Sequence, residues 1–144
     1  MRWLLLDRIC SIHRGKKAVT ESRVPSAPYS REVLFIEMMA QTGGLLVGAE
    51  SDYKNDVVFA KIEHATFSEV PVSGTPITIE ACADGLAPEG GWIEGVITSA
   101  GGIVARSKFL LMSVGRLLPD RAGSVTFHEN FMSYFNVREK VSAL

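Results

Sequence analysis

Apolar and polar residues alternate along the second half of this chain and merge into one nearly unbroken apolar block in its first third. ITIEACAD, residues 77–84, sets Ile77, Ile79, Ala81 and Ala83 on one face and Thr78, Glu80, Cys82 and Asp84 on the other, the period of two that marks a half-buried strand. VVFAKIEHATF (57–67) is β-branched and aromatic, and EVPVSGTP after it is broken by Pro71, Gly74 and Pro76, so it reads as a strand ending in a loop. GLAPEGG predicts a turn, WIEGVITS a strand, AGG a tight Gly-Gly hairpin and IVARSKFLLMSVG a long last strand. Three successive antiparallel strands form a meander whose apolar face needs a cover.

The apolar block, VLFIEMMAQTGGLLVG (33–48), predicts a helix over about 31–48. Ser30 is a suitable N-cap, and Glu32 suits the first turn, where exposed N–H groups favour negative charge. Gly43, Gly44, Gly48 and the polar run Ala49-Glu50-Ser51-Asp52 end it. A helix apolar on nearly every side is wrapped by other structure. The pattern therefore implies an α+β fold, an antiparallel sheet around one long central helix, with a domain over 1–115. The extension 116–144 begins with the loop RLLPDRAGSV. TFHENFMSYFNVREKVSAL follows and predicts a short amphipathic helix, packed on the domain or on a partner subunit.

Composition narrows the class without naming a chemistry. The 144 residues, 47% hydrophobic and 22% charged with net charge -1, fit one globular domain and give no electrostatic footprint for nucleic acid. The start, MRWLLLDR, is shorter than a signal h-region or a membrane span, so a cytoplasmic location with no membrane partner is expected. Cys10 and Cys82 form no metal-spaced cluster and read as reduced thiols. Phosphate-loop, nucleophile-elbow and HExxH motifs do not occur, so no metal and no cofactor is expected.

What remains is a carboxylate in an apolar helix. At 3.6 residues per turn Glu37, Gln41, Gly44 and Gly48 fall within about 40° of one line. The glycines let another segment or a ligand approach the backbone, and Gln41 can hold Glu37 or a bound polar group. Burial should raise the Glu37 pKa towards neutrality, where a Glu works as acid or base; a core Glu bonded to backbone or Arg is the competing reading. His13, His64 and His128 lie on different elements and read as structural. Arg106 and Lys108 read as a solvated face or a patch for an acidic carrier. Phe127, Phe131, Tyr134 and Phe135 read as packing or subunit contact rather than a ligand lid.

VLFIEMMAQTGG resembles the central-helix motif of the 3-hydroxyacyl-ACP dehydratases, a Val-Leu-x-x-Glu-Ala-x-Ala-Gln segment with a catalytic Glu. LLLDRICSIHRGKKAV is similar to that family's LL-x-DR opening and GK pair. VVFAKIEHATFSEVPVSGTPITIEA is similar to its FAGI-x-x-A-x-F…PV-x-PGD stretch. Matching pieces run in order from about Leu4 to Val114. The resemblance implies the hotdog fold, a homodimer or larger assembly, and an acyl thioester on acyl-carrier protein or CoA as substrate. It also implies Glu37 as the catalytic residue, with Gln41, the backbones of Glu32 and Val33, Gly44, Phe59 and Ala60 contacting substrate.

One departure matters. The family's His-Phe-Pro-Gly loop, whose His removes the proton in dehydration, is replaced here by TESRVPSAPYSREVLF, which contains no His. Counting back from Glu37 puts Arg23 at the His position, whereas counting forward from Gly15-Lys16 implies that about ten residues of loop are deleted, the reading preferred here. Three functions stay open: a dehydratase-like lyase of fatty-acid or polyketide-type metabolism, with activity reduced or altered by the loss; an acyl thioesterase using Glu37; and a non-catalytic acyl- or carrier-binding protein, or the inactive subunit of a heteromeric dehydratase.

Overall fold

The structure, a computed structural model, describes residues 4–26, 28–118 and 124–142. It begins with a hairpin, β1 (Arg8–His13) and β2 (Lys17–Arg23), turning at Gly15 with φ +74, a left-handed conformation that suits glycine. Next come the helix α1 (Arg31–Ala49) and strands β3 (Val57–Phe67), β4 (Pro76–Ala83), β5 (Gly90–Ser99) and β6 (Gly102–Ser113). The tail holds two short helices, α2 (Glu129–Tyr134) and α3 (Val137–Lys140), and a two-residue strand β7 (Val141–Ser142).

These strands form one sheet in the order β3-β6-β5-β4-β2-β1-β7, antiparallel except where β7 joins β1. The meander β4-β5-β6 expected from the alternation is present, with Ile77, Ile79 and Ala81 buried and Cys82 exposed. Lys17–Arg23 pairs along its length with β4. Arg23, at the position that counting back gives the family's His, is therefore the last residue of a strand and donates to the carbonyl of Gly74 at 3.1 Å, and Val24, Pro25 and Ser26 follow the strand's end.

Helix α1 starts at the expected cap, where the Ser30 hydroxyl accepts the N–H of Val33 at 3.2 Å. At its other end the Arg14 guanidinium donates to the carbonyl of Ala49, a cation meeting the unpaired carbonyls there. By length and composition α1 would pass for a membrane-crossing helix, yet most of it is buried inside the protein. The sheet curls around it. Leu34, Phe35, Met38, Met39, Leu45 and Leu46 are fully buried, each contributing roughly 1.5–3 kcal/mol by leaving water. Gly43 faces the sheet: a Cβ there would sit 3.1 Å from Ile93 and 3.2 Å from Phe109 and Leu111. The buried hydroxyls of Thr20 and Thr42 pair at 2.8 Å, and Thr42 also donates to the Met38 carbonyl at 2.9 Å.

The tail departs from the single amphipathic helix expected. Asn136 adopts φ 50 between α2 and α3, a left-handed residue that ends one helix before the other begins. The chain then extends far enough to pair beside β1.

Candidate functional site

Glu37 lies half-buried on the face of α1 that the sheet leaves open. One helical turn on, Gln41 donates from Nε2 to Glu37 Oε1 at 3.1 Å. The Gln41 Oε1 accepts the backbone N–H of Leu5 at 3.1 Å, so the N-terminal segment fixes which way the amide points. Burial raises the Glu37 pKa above the usual glutamate value, and the bond from Gln41 offsets part of that rise. A carboxyl in this state can hold or release a proton nearer neutral pH than a solvated one.

This pair stands at the edge of a cavity of about 360 Å³. Glu37, Ala40, Gln41 and Gly44 form its floor, with nothing within 4 Å of a Cβ placed on Gly44. Val57, Phe59 and Leu111 supply a wall from β3 and β6, and Phe59 stacks on Phe109 with ring centroids 5.4 Å apart. Val125, Phe127 and Phe131 supply the opposite wall from the tail. Among the described residues lining it, Glu37 is the sole ionisable side chain. The space is shaped for an apolar chain ending beside one carboxyl.

The stripe read on the helix divides by function. Gly44 is open to the cavity, but Gly48 is covered. A Cβ on Gly48 would sit 2.5 Å from Cε2 of Phe127 and 2.8 Å from Cδ1 of Tyr53, so the segment the bare backbone admits there is the protein's own tail. Phe127 and Tyr53 meet edge to face at 5.0 Å, and the Tyr53 hydroxyl donates to the Leu45 carbonyl at 3.1 Å. Phe127 and Phe131 thus both pack and wall the cavity, whereas Tyr134 is exposed.

Other candidates lie apart from the cavity. Glu32 and Val33 are exposed on the first turn of α1, where Ser30 engages the Val33 N–H. Ala60 is exposed at a bulge in β3, where the register with β6 shifts between Phe59 and Lys61. None of the three histidines lines the cavity. His13 Nδ1 is 3.0 Å from the Ser142 hydroxyl, His64 is exposed on β3, and His128 caps α2 by accepting the Asn130 N–H at 3.2 Å. Arg106 is exposed and Lys108 pairs with Glu63 at 3.5 Å. Among the described residues no group of His, Cys, Asp and Glu converges as metal ligands would.

The sequence reading missed Asp56. Its side chain is fully buried just before β3 and accepts from the N–H of Leu117 at 2.7 Å, the N–H of Thr126 at 2.6 Å and the Ser124 hydroxyl at 2.5 Å. Burial pushes its pKa up, but the bonds from Ser124, Thr126 and Leu117 outweigh this and hold it below the usual aspartate value. Ser124 in turn accepts the Phe127 N–H at 2.9 Å, and Thr126 accepts the Val57 N–H at 3.2 Å. Asp56 therefore fastens the tail wall of the cavity to the start of β3.

No protein-family model matches the chain. It is 32% identical over 91 residues to the 3-hydroxyacyl-[acyl-carrier-protein] dehydratase FabZ of Ruminiclostridium cellulolyticum, covering 55% of this chain and 64%, under two thirds, of that enzyme. It is 30% identical over 96 residues to FabZ of a Thermoanaerobacter species, covering 58% of this chain and 68% of that one. Among solved structures, a Streptococcus mutans protein bound to acetyl CoA superposes with TM-score 0.63 at 12% identity, covering 80% of this chain and 94% of the other. The dehydratase heterocomplex ApeI:P of Xenorhabdus doucetiae does so with TM-score 0.62 at 16% identity, over 78% and 84%. At such identities these likenesses establish the fold, a hotdog.

Proposed function

The chain belongs to the family of 3-hydroxyacyl-acyl-carrier-protein dehydratases, and from that premise we propose that it takes an acyl thioester into the cavity and acts on it as a dehydratase through Glu37. The observation that carries this reading is the apolar cavity with one carboxyl at its edge, oriented by Gln41 and with its pKa raised by burial. With no histidine at the cavity, one carboxyl serves both proton transfers. The Glu37 carboxylate takes a proton from the carbon next to the thioester carbonyl, the bond from the next carbon to its hydroxyl breaks, and the same proton leaves with the hydroxyl as water. The product is the enoyl thioester. The thioester is carried on acyl-carrier protein or CoA, whose far end stays outside the cavity.

The absence of histidine from the cavity lining also supports a second reading, in which the protein binds acyl thioesters without converting them, alone or as one half of a heteromeric dehydratase. Mass spectrometry of purified protein with a 3-hydroxyacyl-pantetheine thioester separates these. Loss of water from substrate, abolished in Glu37→Gln, is the expected result, with a fall of about a hundredfold or more because one acid–base group typically supplies that much. Release of free thiol would instead indicate a thioesterase, and binding without turnover in either protein would leave the second reading.

A further inference from the structure

Granting that the cavity holds an acyl chain, we infer that Phe127 of the C-terminal tail is the end stop that limits the length of that chain. The groove on α1 begins at Glu37 and is open at Gly44. Seven residues of helix span about 10 Å. The same bare stripe continues four residues further to Gly48, about 6 Å more, but the Phe127 ring fills that stretch, pressed against the Gly48 backbone and against Tyr53. Without the tail the helix would offer a longer groove; with it, the apolar channel ends two turns from the carboxyl.

The stop is fixed from two sides. The Phe127 N–H is held by Ser124, whose hydroxyl donates to the buried Asp56 carboxylate, and the neighbouring Thr126 N–H donates to the same carboxylate. On the other side Phe131 lies 6.4 Å away, centroid to centroid, and continues the wall. A ring seated this way is part of the cavity's shape. The substrates it selects are short- and medium-chain acyl thioesters, because a long chain would have to displace a packed aromatic.

The test uses the full chain and S-alkyl pantetheine thioethers, from butyl to hexadecyl, which carry no cleavable thioester, with affinity measured by titration calorimetry. Each methylene that leaves water should tighten binding about fourfold. For the wild type the affinity should climb with length and then level off. In Phe127→Ala, and more weakly in Phe127→Leu, which keeps more of the packing, the climb should continue to longer chains. In Gly44→Leu, whose side chain enters open space rather than the core, it should level off earlier; circular dichroism confirms that each variant is folded. A break at the same length in wild type and in folded Phe127→Ala would overturn the end stop whatever Gly44→Leu does, while leaving the acyl reading intact, as would a wild-type affinity still rising at hexadecyl. No binding of any thioether by wild type would overturn both.

Discussion

Glu37 sits where burial and function pull in opposite directions. Its pKa is raised on folding, so the native state binds a proton more readily than the unfolded chain. Stability then falls as pH rises from the usual glutamate value through the raised one, and the full burial cost remains above it. Glu37→Gln keeps the shape and an oxygen for Gln41 but removes the titration. It should melt at a higher temperature than wild type at neutral pH, with the difference closing in acid, as read by calorimetry across pH. Asp56 has the opposite sign. Its folded pKa is lowered, so its contribution is present above the ordinary aspartate value and is lost as pH falls through the folded one. Asp56→Asn replaces a charged acceptor by an amide that cannot satisfy the same three donors. The expected loss is about 3 kcal/mol in urea unfolding at pH 7, since hydrogen bonds to charged groups contribute about 1.5–3 kcal/mol each and part is retained. The gap from wild type should narrow below pH 4. Glu37 was legible as a charged residue in an apolar run, whereas Asp56 was not, because its partners lie 61, 68 and 70 positions away.

Within α1 the three glycines look alike in sequence and differ in what they face. Gly43 meets the sheet, Gly44 meets open cavity and Gly48 meets the tail. Alanine in place of glycine favours a helix by up to about 1 kcal/mol. Gly44→Ala should gain up to that amount, seen as a higher urea midpoint. Gly48→Ala should lose stability by roughly 1–3 kcal/mol, the usual cost of overpacking, because the added carbon meets the Phe127 ring and Tyr53. The contrast between two substitutions four residues apart checks the placement of the tail. Strands were easier to foresee: the 57–67 segment is β3 with the bounds read from its β-branched run, and the helix extends one residue beyond its expected end. The tail is helical as expected but forms two short helices rather than one, because Asn136 turns the chain between them, and spatial neighbours decide where the rings of Phe127, Phe131 and Phe135 go.

At the scale of the whole molecule, β3 is the edge opposite β7 and pairs only with β6 among the described strands. Phe59 and Ile62 on it are about 40% exposed, at 39% and 42%. A long edge with unpaired N–H and C=O groups and apolar side chains is a template for another strand. We propose that a second copy pairs there, joining two sheets and covering the side of the cavity built from β3. Light scattering should give a homodimer, and Ile62→Lys, a charge placed at the edge, should shift it towards monomer without lowering helical circular dichroism. A wild-type monomer at all concentrations would exclude this assembly.

Features whose information is local could be read from the chain alone. Alternation set the faces of the strands, an apolar run with a serine cap set the helix, and one carboxylate in that run marked the candidate site. The chain also carried the family motif and the missing histidine loop. Where the groove ends, which glycine is open and which is filled, and what fastens the tail were settled by folding. Those outcomes depend on contacts between residues far apart in the chain, here Gly48 with Phe127 and Asp56 with Ser124 and Thr126. Periodicity specifies which face of an element is buried, but not which distant side chain will cover it.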